Sequence, residues 1–178
     1  MRITSGKYRG RILKAPKTRN IRPMMDKVRK ALFDSLGPSV QEAKVLDLFC
    51  GTGALGIEAL SRGAKNVVFV DKSGESLALT KENLARLGET RAEIYRLNLP
   101  KDLDKLTHLA PFDLIFITPP YGTGLALKTL QKIEPLLAKH GKVVVEDEIG
   151  VDFPEEMGSL TKHREKCYGQ TKLAFYGR

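Results

Sequence analysis

The sequence predicts an α/β fold, a mostly parallel sheet with helices on both faces and an antiparallel pair of strands at its C-terminal end. Short runs rich in Val, Ile, Leu and Phe alternate with helix-like segments over residues 44–147, and each run suits one buried strand. Parallel neighbours need crossover connections, which the intervening helices supply. The chain has 178 residues, of which 42% are hydrophobic, and this is enough for one domain with a sizeable core.

The predicted elements follow one another in alternation. We expect strands at Lys44–Phe49, Asn66–Asp71, Ala92–Leu97, Phe112–Thr118 and Lys142–Glu146. Apolar residues at three-to-four spacing, followed by glycine stop signals, predict helices at Ala54–Ser61, Ser73–Leu87 and Gly124–Ala138. After Glu148, the segments Leu160–Tyr168 and Lys172–Tyr176 leave no room for a crossover helix, so they predict the antiparallel pair.

The N-terminal part of the chain is strongly basic. The net charge is +9, and residues 1–30 contain eleven Lys and Arg against one acid, Asp26, so that 19 bases and 20 acids remain elsewhere. A concentrated basic segment on a nearly neutral body indicates a polyanionic partner, and nucleic acid is the first candidate; a merely solvated arm is the alternative. Arg2–Leu13 predicts a small hairpin, and Asp26–Leu36 a helix capped by Asp26.

Several classes of protein are not expected. No run approaches the roughly 18 apolar residues of a membrane span, and the basic N-terminus does not resemble a signal peptide, so we expect a cytoplasmic protein. The two cysteines, Cys50 and Cys167, and the three scattered histidines have no metal-ligand spacing and no disulfide framework. We therefore expect free thiols and no bound metal.

The first candidate site follows the first strand of the predicted sheet, over Asp47–Ala54. Gly51 and Gly53 allow the backbone to approach a ligand closely, and the next helix offers unpaired N–H groups at its start. Asp71 ends the next strand, where a carboxylate can accept hydrogen bonds from ribose hydroxyls. Adjacent parallel strands end at one crevice, so these groups predict a nucleoside site; an ordinary strand-to-helix turn is the alternative.

Asp47 favours one nucleoside ligand over another. Residues 51–56 match the pattern G-x-G-x-x-G, so the pattern alone leaves a nicotinamide dinucleotide open. A carboxylate at position 47 disfavours a nearby pyrophosphate but favours the ammonium of an amino acid. An amino acid joined to a nucleoside is S-adenosylmethionine, which is the predicted cofactor. Alternatively, Asp47 accepts hydrogen bonds only from loop amides.

The second candidate site is Thr118-Pro119-Pro120-Tyr121, directly after the fourth predicted strand. The two prolines fix the backbone and remove two donors, and Tyr121 offers an aromatic face. Such a segment can hold a planar base and accept hydrogen bonds from its exocyclic amine. A plain proline turn is the alternative, but the position at the same edge as Gly51–Gly53 and Asp71 favours a site.

Six stretches of the chain together form a family pattern. They are Met1–Arg11, Ile21–Pro23, Asp26–Arg29, Ala31–Phe33, Asp47–Gly53 and Pro119–Tyr121. With them the chain resembles the RsmD family of bacterial guanine-N2-methyltransferases that act on small-subunit rRNA. The resemblance covers nearly the whole chain, and its basic N-terminal part is the more specific, since the glycine and proline stretches alone indicate only a class I amino-methyltransferase. It implies a Rossmann-like, seven-stranded fold, S-adenosylmethionine as methyl donor with S-adenosylhomocysteine as product, and a guanine of 16S rRNA as acceptor.

From the two candidate sites and the resemblance we expect three groups of functional residues. The acceptor amine is expected to contact Thr118, Pro119, Pro120 and Tyr121, with the Pro119 carbonyl as first acceptor, the Thr118 hydroxyl as second and the Tyr121 ring as stacking partner. The cofactor is expected to contact Asp47, Phe49, Cys50, Gly51, Thr52, Gly53, Ala54, Asp71, Lys72, Asn98 and Leu99. The RNA is expected to contact Arg2, Lys7, Arg9, Arg11, Lys14, Arg19, Arg22 and Arg29.

The chain departs from the family pattern at several positions. Thr118 stands where the family usually has Asp or Asn, Met24-Met25 where it has Thr-Thr, and Asn98 where it commonly has Asp. The same fold acting on adenine N6 or on a DNA base, and a non-catalytic RNA-binding paralogue, therefore stay open as alternatives. We expect a monomer in which residues 1–36 form an RNA-binding extension and residues 37–178 the methyltransferase domain.

Overall fold

The computed structural model describes residues 1–17 and 23–178. Within them, eight strands form a single sheet. The parallel strands are β1 (Lys44–Leu48), β2 (Asn66–Asp71), β3 (Ala92–Arg96), β4 (Phe112–Ile117) and β5 (Leu137–Glu148). The antiparallel strands are β6 (Glu156–Met157), β7 (Leu160–Tyr168) and β8 (Thr171–Gly177). The order β3-β2-β1-β4-β5-β8-β7-β6 confirms the predicted sheet, and the two-residue β6 adds an eighth strand at its edge.

Helices cover both faces of the sheet. They are α1 (Asp26–Leu36), α2 (Ala54–Ser61), α3 (Gly74–Leu87) and α4 (Leu125–Leu130), with short 3₁₀ segments at Gly37–Val40, Leu103–Leu109 and Glu134–Leu136. Alternate strand residues face opposite ways, so Val45 packs with α1, α2 and α3 while Leu46 packs with α4 and the Leu103–Leu109 segment. Among the described residues, no helix has the length and apolar character needed to cross a membrane.

The predicted helix Gly124–Ala138 is wrong in extent. Its helical part ends at Leu130, and β5 already begins at Leu137. Pro135 lacks an N–H and cannot continue a helix interior, so it lies at the start of a 3₁₀ turn instead. Leu137 then pairs with Phe112 of β4. Strand pairing thus takes over residues whose apolar spacing also suited a helix, and β5 is longer than the predicted Lys142–Glu146.

One N-terminal prediction is confirmed and one is corrected. Arg2–Leu13 folds back on itself as a small hairpin, with an antiparallel bridge between Arg2 and Ile12. Backbone hydrogen bonds from the Ile3 N–H to the Arg11 carbonyl and from the Leu13 N–H to the Met1 carbonyl flank this bridge. Asp26 is the first residue of α1 and not its cap, because Met25 occupies that position without a side-chain hydrogen bond. The Asp26 carboxylate instead accepts hydrogen bonds from the backbone N–H of Arg2 and the guanidinium of Arg29.

The N-terminal segment is fixed to α2 by polar contacts. The backbone N–H and the hydroxyl of Thr4 donate to the Glu58 carboxylate at 3.0 and 2.8 Å. Gly6 approaches so closely that a Cβ would lie 1.9 Å from the Ser61 carbonyl oxygen, and its φ of +85° is one that side chains rarely adopt. Ile3 and Tyr8 are buried in the same core cluster as β1. The basic segment therefore has a defined position on the sheet domain.

Candidate active site

A cavity of about 620 Å³ lies at the carboxyl ends of the parallel strands. It is centred where the strand order turns from β2-β1 to β4-β5, the point at which open α/β sheets form a crevice. Its volume falls in the range of small-molecule sites. The loop after β1, the end of β2, the segment after β3 and the segment after β4 all contribute to its wall.

The loop between β1 and α2 bends sharply beside this cavity. Phe49, Gly51 and Gly53 have positive φ angles of 62°, 54° and 82°, and at Phe49 this is a conformation that a bulky residue rarely adopts. The Cys50 backbone N–H donates to the Val70 carbonyl at 3.0 Å, which joins the loop to β2. Phe49, Cys50 and Gly51 thereby face the cavity in the loop just before α2 begins.

Asp71 connects the cavity-facing loop with the end of β2. One carboxylate oxygen accepts the Gly51 N–H and the other accepts the Ser73 N–H, each at 3.0 Å. A carboxylate has about four lone-pair sites, so capacity for further acceptance remains on both oxygens. Asp71 is half-buried and lines the cavity. The position suits a carboxylate that receives ribose hydroxyls.

Asp47 lies beneath the loop, outside the residues that line the cavity. It is only 1% exposed, and its Oδ2 accepts the Gly56 N–H at 3.0 Å. Burial raises the pKa of Asp47 to about 7, although the Gly56 bond opposes this. The geometry therefore matches the loop-amide alternative rather than direct contact with an ammonium. Gly53 also lies outside the cavity wall, where its Cα faces Thr80.

The segment after β4 forms the opposite wall. Thr118, Pro119, Pro120 and Tyr121 all line the cavity. The Thr118 hydroxyl lies 3.4 Å from the Leu48 and Phe49 carbonyl oxygens, and these long contacts place it against the β1 loop. The loop after β1 and the proline segment thus contact each other at the cavity wall.

Sequence reasoning missed Glu146, which also lines this wall. The Tyr121 hydroxyl donates to Glu146 Oε1 at 2.8 Å and contacts the Thr171 hydroxyl at 2.7 Å. Burial raises the pKa of Glu146, and the bond from Tyr121 counteracts the rise. Its signal in the sequence is an acid at the end of an apolar strand, Val143-Val144-Val145-Glu146, at the same sheet edge as Thr118. Other lining residues that were missed are Pro23, Met24, Leu55, Ser73, Glu75, Ser76, Leu97, Thr123 and Leu125.

The expected RNA-contacting residues separate into four groups by exposure and by whether the structure describes them. Arg2, Lys7, Arg9 and Arg11 are exposed, while Lys14 is half-buried and pairs with Glu82 at 2.8 Å. Arg19 and Arg22 lie outside the described residues. The prediction for Arg29 is wrong, because its side chain is fully buried.

The cavity residues fit S-adenosylmethionine by their chemistry. The volume accommodates a nucleoside with an amino-acid chain, and Asp71 provides carboxylate oxygens at the end of β2. Lys72, Asn98 and Leu99 lie on the same side of the cavity, with Thr52 and Ala54 at the start of α2. Of the eleven expected cofactor residues, nine line the cavity, and Asp47 and Gly53 do not.

Comparison with known proteins decides the family. A family model described as conserved hypothetical protein 95 matches residues 1–177. The ribosomal RNA small subunit methyltransferase D of Escherichia coli K12 is 34% identical, over 100% of this chain and 90% of its own length. The chain belongs to the RsmD family. A solved structure of a Thermus thermophilus protein, 31% identical, covers 100% of this chain and 99% of its own, with a TM-score of 0.85.

The comparisons also agree with the fold assignment. A Bacillus subtilis (strain 168) protein named as a candidate rRNA methyltransferase is 39% identical, over 99% of this chain and 98% of its own length. As a member of the RsmD family, the chain has the class I methyltransferase fold that its motifs implied, with helices on both faces of the sheet and the antiparallel strands at its C-terminal end. It is a methyltransferase by family.

Proposed function

We propose that this protein transfers a methyl group from S-adenosylmethionine to the exocyclic N2 of a guanine in 16S rRNA. The observation that carries the proposal is the meeting of two segments in one cavity: the Phe49–Ala54 loop with Asp71 on one side, and Thr118–Tyr121 on the other. The first suits a nucleoside cofactor, and the second suits a planar base with an exocyclic amine. The protein works in the cytoplasm on rRNA or on the assembling small subunit.

Positioning is the main task of the chain's own residues. A guanine N2 is a poor nucleophile because its lone pair is delocalised into the ring, so alignment with the methyl group matters most. S-adenosylmethionine would supply a methyl group bound to a positively charged sulfur. When that bond breaks, the sulfur becomes neutral and S-adenosylhomocysteine is the leaving group. The Pro119 carbonyl, with Thr118 as second acceptor, accepts hydrogen bonds from the amine and favours the positively charged nitrogen that develops. The methylated nitrogen then releases one proton to water, which gives the neutral product base. Tyr121 stacks on the base, which adds roughly 1–3 kcal/mol.

In this proposal the exposed N-terminal bases hold the RNA while its target base enters the cavity. Arg2, Lys7, Arg9 and Arg11 are exposed, and Lys7 and Arg11 contact the C-terminal ends of α2 and α3. Further along the chain, Pro23 and Met24 line the cavity wall. Met1 Sδ lies 3.9 Å from the Thr52 hydroxyl at the other end of this segment. The target base then leaves its stack to reach the reacting atoms. Residues 1–36 are in this proposal an RNA-binding extension of the domain that spans 37–178.

Two variants test whether the cavity has a cofactor side at Asp71 and a base side at Tyr121. Asp71→Ala is expected to weaken S-adenosylmethionine binding, measured by calorimetry, because it removes the carboxylate and loosens the Gly51 loop. Tyr121→Ala is expected to leave cofactor binding within about twofold while transfer to unmodified small-subunit particles falls roughly tenfold or more. Loss of cofactor binding in both variants, or in neither, would contradict this division. A wild-type protein that binds cofactor and RNA but transfers no methyl group would favour the non-catalytic alternative.

A further inference from the structure

Glu146 is a nearly buried carboxylate in the base-facing wall, and the sequence-based assignment of roles does not use it. We infer that Glu146 selects guanine by accepting hydrogen bonds from the N1–H and N2–H of the methyl acceptor, an inference that rests on the proposed function. The contacts, the accessibility of its second oxygen and the chemistry of the base edge support this role.

Sheet register places Glu146 beside the proline segment. Ile117 of β4 pairs with Val145 of β5, so the next residues, Thr118 and Glu146, end up adjacent on neighbouring parallel strands, which lie about 4.8 Å apart. Among the described residues that line the cavity, the other carboxylates are Asp71 and Glu75. Asp71 is the last residue of β2 and Glu75 lies in the first turn of α3, both on the cofactor side. Glu146 therefore supplies the negative charge on the side of the cavity where Thr118 has none.

The Glu146 side chain is held with one oxygen engaged and the other available. Oε1 accepts the Tyr121 hydroxyl at 2.8 Å. Oε2 has no hydrogen-bond partner within the described part of the chain. Among the described residues, two polar side-chain atoms are both fully buried and without a partner, Asn66 Oδ1 and Thr129 Oγ1, and Oε2 is not one of them. Oε2 therefore retains accessible surface. Because Glu146 is only 8% exposed and lines the cavity, that surface opens into the cavity.

A carboxylate at this point distinguishes the bases by their hydrogen-bonding edges. Guanine presents two adjacent donors, N1–H and one N2–H. An ionised carboxylate can accept both, one at Oε2 and one at the lone pair of Oε1 that Tyr121 does not use. Adenine presents an acceptor at N1, which would face a carboxylate oxygen without a proton between them. Sites built to bond one edge reject the mismatched edge strongly, because buried polar groups are left unpaired. The second N2–H remains for the Pro119 carbonyl and the Thr118 hydroxyl, which share it, so base selection and amine positioning are compatible.

The test changes the hydrogen-bonding groups of the side chain and those of the base, separately and together. Glu146→Gln keeps the shape but offers one acceptor and one donor. In 2-aminopurine, N1 is an acceptor while the N2 amine is retained. Methyl transfer is measured on small-subunit particles that carry guanine at the methylated position and on reconstituted particles that carry 2-aminopurine there. Glu148→Gln is the matched control, because it removes the same charge two residues along β5 at an exposed position outside the cavity wall.

We expect wild type to prefer guanine over 2-aminopurine by about 100-fold, and E146Q to lose about 10- to 100-fold on guanine while gaining on 2-aminopurine. The E148Q control should keep the wild-type preference. Thermal unfolding and cofactor affinity show that E146Q is folded. If E146Q loses activity equally on both particles, or loses none, this role for Glu146 is overturned while the proposed function stands. Absence of transfer by the wild-type protein to the guanine particle overturns both.

Discussion

Arg29 and Glu58 form an ion pair in which neither side chain is exposed, with 3.1 Å between the guanidinium Nε and the carboxylate Oε1. Glu58 also pairs with Arg62 at 2.9 Å and accepts both hydrogen bonds from Thr4. The Arg29 guanidinium in turn contacts the backbone carbonyl of Arg2. One buried pair thus joins α1, α2 and the N-terminal segment, and it fixes the basic segment against α2.

Arg29→Met should destabilise the fold rather than weaken RNA binding directly. Removing one partner leaves Glu58 buried with only Arg62 to compensate its charge, which costs about 3 kcal/mol of unfolding free energy. Chemical denaturation measures the change, and Lys27→Met, at an exposed position of α1, should change stability by less than about 0.5 kcal/mol. An equally small effect of Arg29→Met would show that the buried pair does not support the fold.

Thr118→Asp should accelerate methyl transfer. A hydrogen bond to a charged acceptor is stronger than one to a hydroxyl, and the difference of about 1–2 kcal/mol corresponds to roughly a five- to thirtyfold faster step. Thr118→Val keeps the shape without the hydroxyl and should slow transfer roughly two- to tenfold. The measurement is single-turnover transfer at saturating cofactor. The role of Thr118 as acceptor would lose its support if a folded, cofactor-binding T118D were no faster than wild type.

Neutralising the exposed N-terminal bases should reduce the salt dependence of RNA binding. With about six phosphates engaged, the log-log slope against salt should be roughly −4 for a single strand. Replacing Lys7, Arg9 and Arg11 by Gln should bring the slope to roughly −2, since each phosphate contact contributes about 0.7. Replacing Lys101, Lys128 and Lys132, which are exposed on or near elements of the opposite sheet face, serves as a matched control. A slope that stays near −4 in the first triple variant would place the RNA elsewhere.

Asp47 should make stability fall as pH rises toward neutrality. Its folded-state pKa of about 7 lies above the unfolded value of 3.8, so its stabilising effect is complete below pH 3.8 and is lost as pH rises through about 7. Relative to Asp47→Asn, the wild type should lose up to about 4 kcal/mol between pH 4 and 8. Glu146 is unchanged in both proteins, so its own titration cancels from this difference.

Unfolding free energies across this pH range provide the measurement. Asp104→Asn makes the same substitution at an exposed position and is the control. A constant difference in stability between wild type and D47N at all pH values would mean that the pKa of Asp47 is the same in the folded and the unfolded protein.

Local signals predicted the elements next to the cavity well. The bounds of β2 and α2 agree with the prediction at both ends. Glycines mark the turns beside these elements, and each apolar run spans one element only. The Gly124–Ala138 segment failed because its apolar residues suit either a helix or a strand, and only pairing between Leu137 and Phe112 decides between them. Register between distant strands is not encoded in local spacing.

The site was less predictable than the fold, and the reason is burial. Charge composition could not separate Arg29, which is enclosed beside Glu58, from the exposed Arg9 and Arg11. Pattern matching placed Asp47 at the ligand, whereas the loop amide of Gly56 binds it beneath the cavity. Glu146 belongs to no motif, and its position becomes visible only when β5 is aligned beside β4.

The most direct test of the account is the identity of the methylated nucleoside. Wild-type protein is incubated with labelled S-adenosylmethionine and small-subunit particles that lack the modification, and the RNA is then digested to nucleosides. We expect the label in N2-methylguanosine alone. Label in N6-methyladenosine, or no label from a protein that binds both cofactor and RNA, would contradict the proposed function.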